Sequence, residues 1–109
     1  MAVSYKVLGQ SSPSATTSTN IYTVGSGKQA IVSTLSVANR STSAGSYRIA
    51  VRPDGATLSN EHYLAYDVAI SANDTNLITT ALALDAGDIL TVYSSSASIS
   101  FGAYGTEIA

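Results

Sequence analysis

Eight short runs rich in Val, Ile, Thr and Tyr make up most of this 109-residue chain, and Gly, Pro, Asn, Asp or Ser separate them. Within several runs apolar and polar residues alternate; in residues 47–52, for example, the odd positions are apolar and both arginines occupy even positions. This period of two is typical of a β-strand, because successive side chains of a strand point to opposite faces. The sequence therefore predicts strands over residues 5–8, 21–24, 31–38, 47–52, 62–70, 76–84, 89–93 and 99–104.

Together these runs predict an all-β fold, an antiparallel β-sandwich of about eight strands that is jelly-roll-like. A chain of 109 residues is long enough for one domain with a single core, so residues 1–109 are expected to form one sandwich. The Ser- and Thr-rich segment from Ser11 to Asn20 is predicted to be a loop or an extended arm. Residues 81–86 look helical, but that patch is too short to compete with a strand.

The alternation also predicts which side of each strand faces the core. In residues 31–38 the larger apolar side chains occupy odd positions, with Ser33 as the exception. In residues 62–70 the even positions form one apolar face, so Tyr63 is expected on the opposite face, and one of the tyrosines of this strand outside the core. Residues 76–84 are interpreted as a strand that is buried on both sides.

Charge is scarce in this chain. Charged residues make up 11% of the sequence, against about 25% in a typical soluble protein. The net charge is −2, and three arginines between positions 40 and 52 are too thin a patch for nucleic acid. No apolar run approaches the roughly 20 residues that span a bilayer, and no signal peptide is visible. We therefore expect a soluble protein made in a cytoplasm, with neither nucleic acid nor a membrane as partner.

The segment Gly25-Ser-Gly-Lys28 raises the question of a phosphate-binding loop. Such a loop has the pattern G-x-x-x-x-G-K-[ST] and leads from a strand into a helix. Here Tyr22 stands where the first glycine belongs, Gln29 follows the lysine, and a β-branched run follows in place of a helix. The segment is therefore predicted to be a turn between two strands of a hairpin, where glycine accepts positive φ.

Other residues of types that support catalysis or metal binding lack partners in the sequence. His62 is the single histidine, and no G-x-S-x-G elbow accompanies it, so it is interpreted as a hydrogen-bonded histidine at the start of a strand. Asp85 and Asp88 are too few for calcium and are assigned to a turn. The Asn39 and Asn73 sequons carry little weight without a secretory signal. No catalytic residue, cofactor or metal is predicted.

Seven tyrosines and the clustered arginines are the remaining candidates for contact with a partner. An exposed tyrosine stacks on a sugar, lies in a subunit interface, or packs on the surface of the sandwich. The residue pattern does not choose among these alternatives. The candidate interface or ligand contacts are Tyr63, Arg48 and Arg52.

Several short motifs occur once each along the chain: IYTV in a strand, ANR at a strand end, YDV before a polar ANDT turn, and LDAGDILTVY leading to a terminal FGAYGTEI. From about Tyr22 to Ile108 these motifs resemble those of small virion structural proteins of tailed bacteriophages, notably phages of cyanobacteria and other marine bacteria. The resemblance implies a jelly-roll-like sandwich, no catalysis, and a symmetric oligomer on a capsid or tail.

A protein of that kind is expected to be a capsid decoration or cement protein, located in the virion after synthesis in the host cytoplasm. The implied partners are further copies of the chain, with a trimer favoured, and the major capsid protein or other virion proteins. Two alternatives stay open: a tail, neck or fibre-associated module, and a receptor- or carbohydrate-binding adhesin.

Overall fold

A computed structural model describes residues 2–109, and each of the eight predicted strands is present in it. Two short 3-10 turns, Pro53–Gly55 and Asn60–His62, precede the fifth strand. The described part of the chain includes no helix long and apolar enough to cross a membrane. The strands are β1 (Val3–Ser11), β2 (Thr19–Thr23), β3 (Gln29–Asn39), β4 (Gly45–Arg52), β5 (Tyr63–Ile70), β6 (Thr75–Asp85), β7 (Ile89–Ser94) and β8 (Ile99–Ile108).

The strands form two four-stranded sheets that pack face to face. Sheet 1 has the order β1-β8-β3-β6 and sheet 2 the order β2-β7-β4-β5, and neighbouring strands are antiparallel throughout. The pairs β1–β8, β2–β7, β3–β6 and β4–β5 are those of one long hairpin rolled into a sandwich, which is the jelly-roll arrangement. The prediction of an eight-stranded, jelly-roll-like β-sandwich is therefore confirmed.

Side chains from the inner faces of both sheets fill the core. Tyr47 of sheet 2 meets Phe101 of sheet 1 edge to face, with ring centroids 6.2 Å apart. Full burial of a large aliphatic side chain stabilises a fold by about 1.5–3 kcal/mol. The largest side chains with almost no exposure are Ile49, Ile70, Leu90, Ile99, Val24, Val32, Val37 and Val92.

The exception at Ser33 marks a β-bulge. The pairing of β3 shifts between Val32 and Thr34 against both neighbouring strands: relative to β8 the extra residue lies in β3, and relative to β6 it lies in β6. Side chains at even positions point inward before the bulge, and side chains at odd positions point inward after it. Ile31 therefore faces solvent, and the expectation that it shares a face with Leu35 is wrong.

A similar shift changes the faces of β5. Ala65 pairs with Ile49 and Tyr63 pairs with the next residue, Ala50, so the alternation breaks between the two pairs. Tyr63 consequently lies on the same outer face as Tyr66, and the prediction of opposite faces is wrong. The expectation that a tyrosine of this strand lies outside the core is confirmed, because Tyr66 is 56% exposed.

Strand β6 is buried on one side only, which corrects the two-sided prediction. Its odd positions are exposed along the whole strand, and Leu77 is 71% exposed. The reason is its place in the fold: β6 is the last strand of sheet 1, and no element of the described chain packs on the outer face of that sheet.

The Gly25–Lys28 segment is a turn, as predicted, but it does not close a hairpin. The Lys28 N–H donates to the Gly25 carbonyl at 3.2 Å, and Gly27 adopts a φ of 74°. The strands on either side belong to different sheets, so this turn carries the chain across the sandwich from β2 to β3. A phosphate-binding loop would require a helix at this point, and β3 occupies it.

The Ser11–Asn20 segment is a loop held against its own domain. Its ends belong to strands, because Ser11 closes β1 and β2 begins at Thr19. The Thr16 N–H donates to the Ser94 carbonyl at 2.8 Å, and an Arg40 guanidinium nitrogen donates to the Ser12 hydroxyl at 2.8 Å. These bonds hold residues 12–18 against the sandwich, so the segment does not extend away from it as an arm.

Candidate functional site

The outer face of sheet 2 brings together the three candidate contact residues. Arg48 and Arg52 lie four positions apart on β4, so both point away from the core while Ile49 points into it. Tyr63 lies beside them on β5, opposite Ala50. The bulged register of β5 adds Tyr66 to the same face.

Arg48 lies at the centre of this face, between two aromatic rings. Its guanidinium carbon is 4.2 Å from the ring centroid of Tyr66 and 4.3 Å from that of Tyr93. A planar guanidinium stacks favourably on aromatic faces. Asp67 completes the arrangement by accepting two bonds from the same guanidinium, at 2.6 and 3.2 Å. We call these four residues, Arg48, Tyr66, Asp67 and Tyr93, the Arg48 cluster.

The charges within the Arg48 cluster balance each other. The bidentate hydrogen bond from Arg48, with its positive charge, holds the pKa of the Asp67 carboxyl below its usual value. The same hydrogen bond raises the pKa of Arg48 further above its already high value. Arg48 therefore stays charged and paired over the whole physiological pH range, and the cluster offers no free charge to a partner.

A surface pocket of about 380 Å³ opens beside the cluster, lined by Asn60, Tyr63 and Tyr66. The two tyrosine rings meet edge to face, with centroids 4.9 Å apart and planes at 82°. Asn60 reaches the pocket from the 3-10 turn that precedes β5. In that turn the Ser59 N–H donates to His62 Nδ1 at 3.1 Å, which fixes the position of Asn60. The pocket thus combines aromatic walls with an amide.

Arg52 is used within the fold. Its guanidinium donates to Thr91 Oγ1 at 3.1 Å, to the Ala56 carbonyl at 3.1 Å and to Asn20 Oδ1 at 2.9 Å. These three bonds tie β4 to β7, to β2 and to the segment after Pro53–Gly55. All three nitrogens of the guanidinium therefore donate hydrogen bonds within the fold, although Arg52 lies on the same outer face of sheet 2 as Arg48.

A second surface, which we call the sheet 1 face, covers the opposite side of the molecule. Tyr5, Thr106 and Ile31 lie side by side across β1, β8 and β3, and Tyr5 is 84% exposed. Within residues 2–109, charged side chains reach this face only near its two ends, at Asp85 and at Arg40. Its exposed apolar side chains are Val3, Tyr5, Val7, Ile31 and Leu77.

The centre of the sheet 1 face is flat because Gly102 leaves room for a neighbouring ring. A Cβ at Gly102 would collide with the Tyr104 hydroxyl. That hydroxyl lies 3.4 Å from the Ser36 hydroxyl, and hydrogen bonds from Ser36 and Gln10 lower the pKa of Tyr104. The Tyr104 side chain is thus held down along the sheet instead of standing away from it.

The residues of types that support catalysis or metal binding have structural partners. His62 lies in the 3-10 turn just before β5 rather than in the strand, and its Nδ1 accepts the bond from Ser59. The Asp88 carboxylate accepts the N–H groups of Asp85 and Asp54, both at 2.9 Å, which confirms the turn. In the part of the chain that the structure describes, no group of three His, Cys, Asp or Glu side chains is placed to hold a metal ion.

Asn39 of the first sequon is buried and bonded inside the fold. Its side-chain nitrogen donates to the carbonyls of Ser43, Ile70 and Ser71, at 2.9, 3.4 and 3.2 Å, and its oxygen accepts the Ser41 N–H at 3.0 Å. The residue is 3% exposed. A glycan on this amide is therefore incompatible with the folded domain.

Sequence reasoning selected Tyr63 and Arg48 but missed Asn60, Tyr66 and Tyr93. Tyr66 was assigned to the apolar face of its strand, because the irregular pairing of β5 is not visible in the alternation. Tyr93 reaches Arg48 only through the pairing of β4 with β7, which joins distant parts of the chain.

Comparison with protein-family models, with curated proteins and with solved structures finds no match for this chain.

Proposed function

We propose that this chain is a non-enzymatic structural subunit of a phage particle, a capsid decoration protein that assembles with further copies of itself through the sheet 1 face. The observation that carries the proposal is the chemistry of that face, where Tyr5 and Leu77 are mostly exposed on a surface almost free of charge. Exposed apolar patches of this kind on a soluble protein mark sites of protein contact.

The dimensions of the sheet 1 face fit a subunit interface. Four strands spaced by about 4.8 Å, each about ten residues long at about 3.3 Å per residue, cover roughly 600 Å² in projection. A stable interface buries about 800 Å² of accessible surface on each partner. Since side chains give a face more accessible surface than its projection, most of the sheet 1 face would be covered in such a contact.

Strand β6 adds a second argument for contact between copies. Its ten residues from Thr75 to Leu84 contain no charge, proline or glycine, although a free edge strand is normally protected by such residues. One chain covers only one side of this strand, and the side chains at its odd positions, including Leu77, are exposed. A neighbouring copy on the sheet 1 face would cover the other side.

The assignment to a virion rests on the motifs of the sequence and their resemblance to phage structural proteins. A decoration subunit binds the assembled shell and stabilises it by mass action, with each weak contact repeated over many copies. A closed jelly roll with a well-packed core suits that role, because the contacts are spread over sheet faces. The major capsid protein is then the second partner, and a trimer suits the three-fold positions of a shell.

The first test is the absolute mass of the protein in solution, by light scattering on a sizing column at several concentrations. We expect a trimer for the wild type and a monomer for Leu77→Asp, because a charge on the sheet 1 face cannot be desolvated without a partner. The matched control is Leu64→Asp, which adds the same charge on the exposed part of β5. A trimer for Leu77→Asp, or a monomer for Leu64→Asp, would place the interface elsewhere.

The second test asks for the virion partner. Purified protein is mixed with undecorated shells of the phage that encodes it, and bound copies are counted after sedimentation. Saturable binding to assembled shells and none to free capsid protein supports a decoration role. If shells bind no protein while isolated tails do, the chain belongs to the tail, neck or fibres instead.

A further inference from the structure

We propose that the pocket lined by Asn60, Tyr63 and Tyr66 on the outer face of sheet 2 binds a neutral saccharide. The inference does not rest on the proposed virion role, since the pocket lies on the opposite side of the molecule from the sheet 1 face. Its volume of about 380 Å³ falls in the range of small-ligand sites, about 300–1,000 Å³. Aromatic walls with a few polar groups are the usual lining of such sites.

Contacts within the protein hold the walls of the pocket in place. The Tyr66 ring has the Arg48 guanidinium 4.2 Å from its centroid and meets the Tyr63 ring edge to face. Arg48 in turn is held by two bonds to Asp67 and by the Tyr93 ring. A side chain that is already immobilised loses little conformational entropy on binding, so a small and weakly held ligand still gains net affinity.

The chemistry of the lining favours a polyhydroxylated ring. The faces of a pyranose present C–H groups, which pack on tyrosine rings, while its edge presents hydroxyl groups. Asn60 supplies both a donor pair and an acceptor, and the Tyr63 hydroxyl acts as either, which matches the mixed donor and acceptor character of sugar hydroxyls. Tyrosine provides this combination of an apolar body and a polar tip at low entropic cost.

Charged ligands fit the pocket less well than neutral ones. The positive charge of Arg48 is already engaged in a bidentate pair with Asp67. The three guanidinium nitrogens of Arg52 donate within the fold. Glu61 follows Asn60 directly in the chain, and hydrogen bonds to its own backbone and to Ser59 lower the pKa of its carboxyl group. The three lining side chains are themselves uncharged, so an anionic sugar would gain no ion pair from the lining.

The test is a titration of ¹⁵N-labelled protein with the methyl glycosides of glucose, galactose, mannose and N-acetylglucosamine, followed by NMR. Concentrations up to about 10 mM detect a Kd near 1 mM, which is weak binding. We expect at least one neutral glycoside to shift the amide signals of Asn60 and Tyr63 and to leave those of the sheet 1 face unchanged.

Variants then separate the pocket from the rest of the surface. Tyr63→Ala is expected to weaken binding about tenfold or more, and Asn60→Ala to weaken it less. Tyr5→Ala removes an exposed tyrosine from the opposite face and should bind like the wild type. Circular dichroism and the urea midpoint establish that each variant is folded before it is titrated.

Three results would overturn the inference. The first is the absence of any amide shift at Asn60 and Tyr63 with all four glycosides. The second is binding that persists unchanged in Tyr63→Ala. The third is a response of the pocket to a proline-rich peptide and to no glycoside, since aromatic grooves also bind polyproline segments. A failure of this kind leaves the light-scattering and shell-binding tests of the sheet 1 face unaffected.

Discussion

The Tyr22 hydroxyl donates a 2.7 Å hydrogen bond to the Glu107 carboxylate and so joins the two sheets at one end of the sandwich. Lys6 donates to the same carboxylate at 2.7 Å, and Lys28 lies 3.5 Å from it. The hydrogen bonds from Lys6 and Tyr22, with the charges of both lysines, lower the pKa of Glu107 to about 2. Burial, together with the bond to Glu107, raises the pKa of Tyr22 above its usual value.

The first prediction concerns acid. Because the folded state lowers the pKa of Glu107, its carboxylate contributes stability that is present at neutral pH and is lost as pH falls from about 4.5 toward 2. We expect Glu107→Gln to unfold at lower urea concentration than the wild type at pH 7, and to lose less stability between pH 5 and pH 2. Urea midpoints measured at intervals of pH check both expectations.

Asp74→Asn serves as the control for this prediction. It changes the net charge equally, but Asp74 makes no contact in the cluster that Glu107 forms with Lys6, Lys28 and Tyr22. Parallel pH profiles for the wild type and Glu107→Gln would show that the ion cluster at this end of the sandwich does not contribute to acid sensitivity.

The second prediction concerns Gly9, where two strands approach closely. An added Cβ at Gly9 would collide with the backbone carbonyl of Ile21, which cannot move without shifting β2. We expect Gly9→Ala to destabilise the fold by about 1–3 kcal/mol, the usual cost of overpacking. Gly25→Ala is the matched control, because its Cβ would meet only the flexible Lys28 side chain at ordinary contact distance. Equal urea midpoints for the two variants would contradict the close approach.

Much of the fold was predictable because its signals are local. Turn residues and a period of two located the eight strands, and Asp85–Asp88 formed the predicted turn. The assignment of faces failed where a single residue alters the period, as at Ser33 and Leu64. A bulge depends on how a strand pairs with its neighbours, and that information is absent from the strand's own alternation.

The candidate site was predictable only in part, for a related reason. Arg48 and Tyr63 stood out as charged or aromatic residues on predicted strands. Their partners come from β7 and from the register of β5, which only the folded sheets define. Glu107 and Tyr22 are 85 positions apart, so no motif could have linked them.

The third prediction concerns Asn39, a buried amide that closes the end of the sandwich. Its nitrogen donates to three carbonyls, and a carboxylate at this position could donate to none of them. We expect Asn39→Ala to cost about 1–3 kcal/mol, since it leaves buried carbonyl groups without a partner, and Asn39→Asp to cost more at pH 7.

The Asn39→Asp variant should regain stability as pH falls and its carboxyl group becomes neutral. Urea unfolding at pH 7 and pH 5 measures both effects; a more stable Asn39→Asp at pH 7 would contradict the assigned bonds.

The fourth prediction compares two leucines that differ only in where they lie. Leu90 is 0% exposed between the sheets, whereas Leu77 stands on the sheet 1 face. We expect Leu90→Ala to cost about 2–5 kcal/mol at every protein concentration, through lost contacts and the cavity left behind. Leu77→Ala should change the stability of the single chain by no more than about 0.5 kcal/mol.

If copies associate through this face, however, the cost of Leu77→Ala rises with protein concentration, because the free energy of assembly adds to that of folding. Urea midpoints at two concentrations a hundredfold apart distinguish these cases, and a concentration-independent midpoint for the wild type would exclude assembly under those conditions.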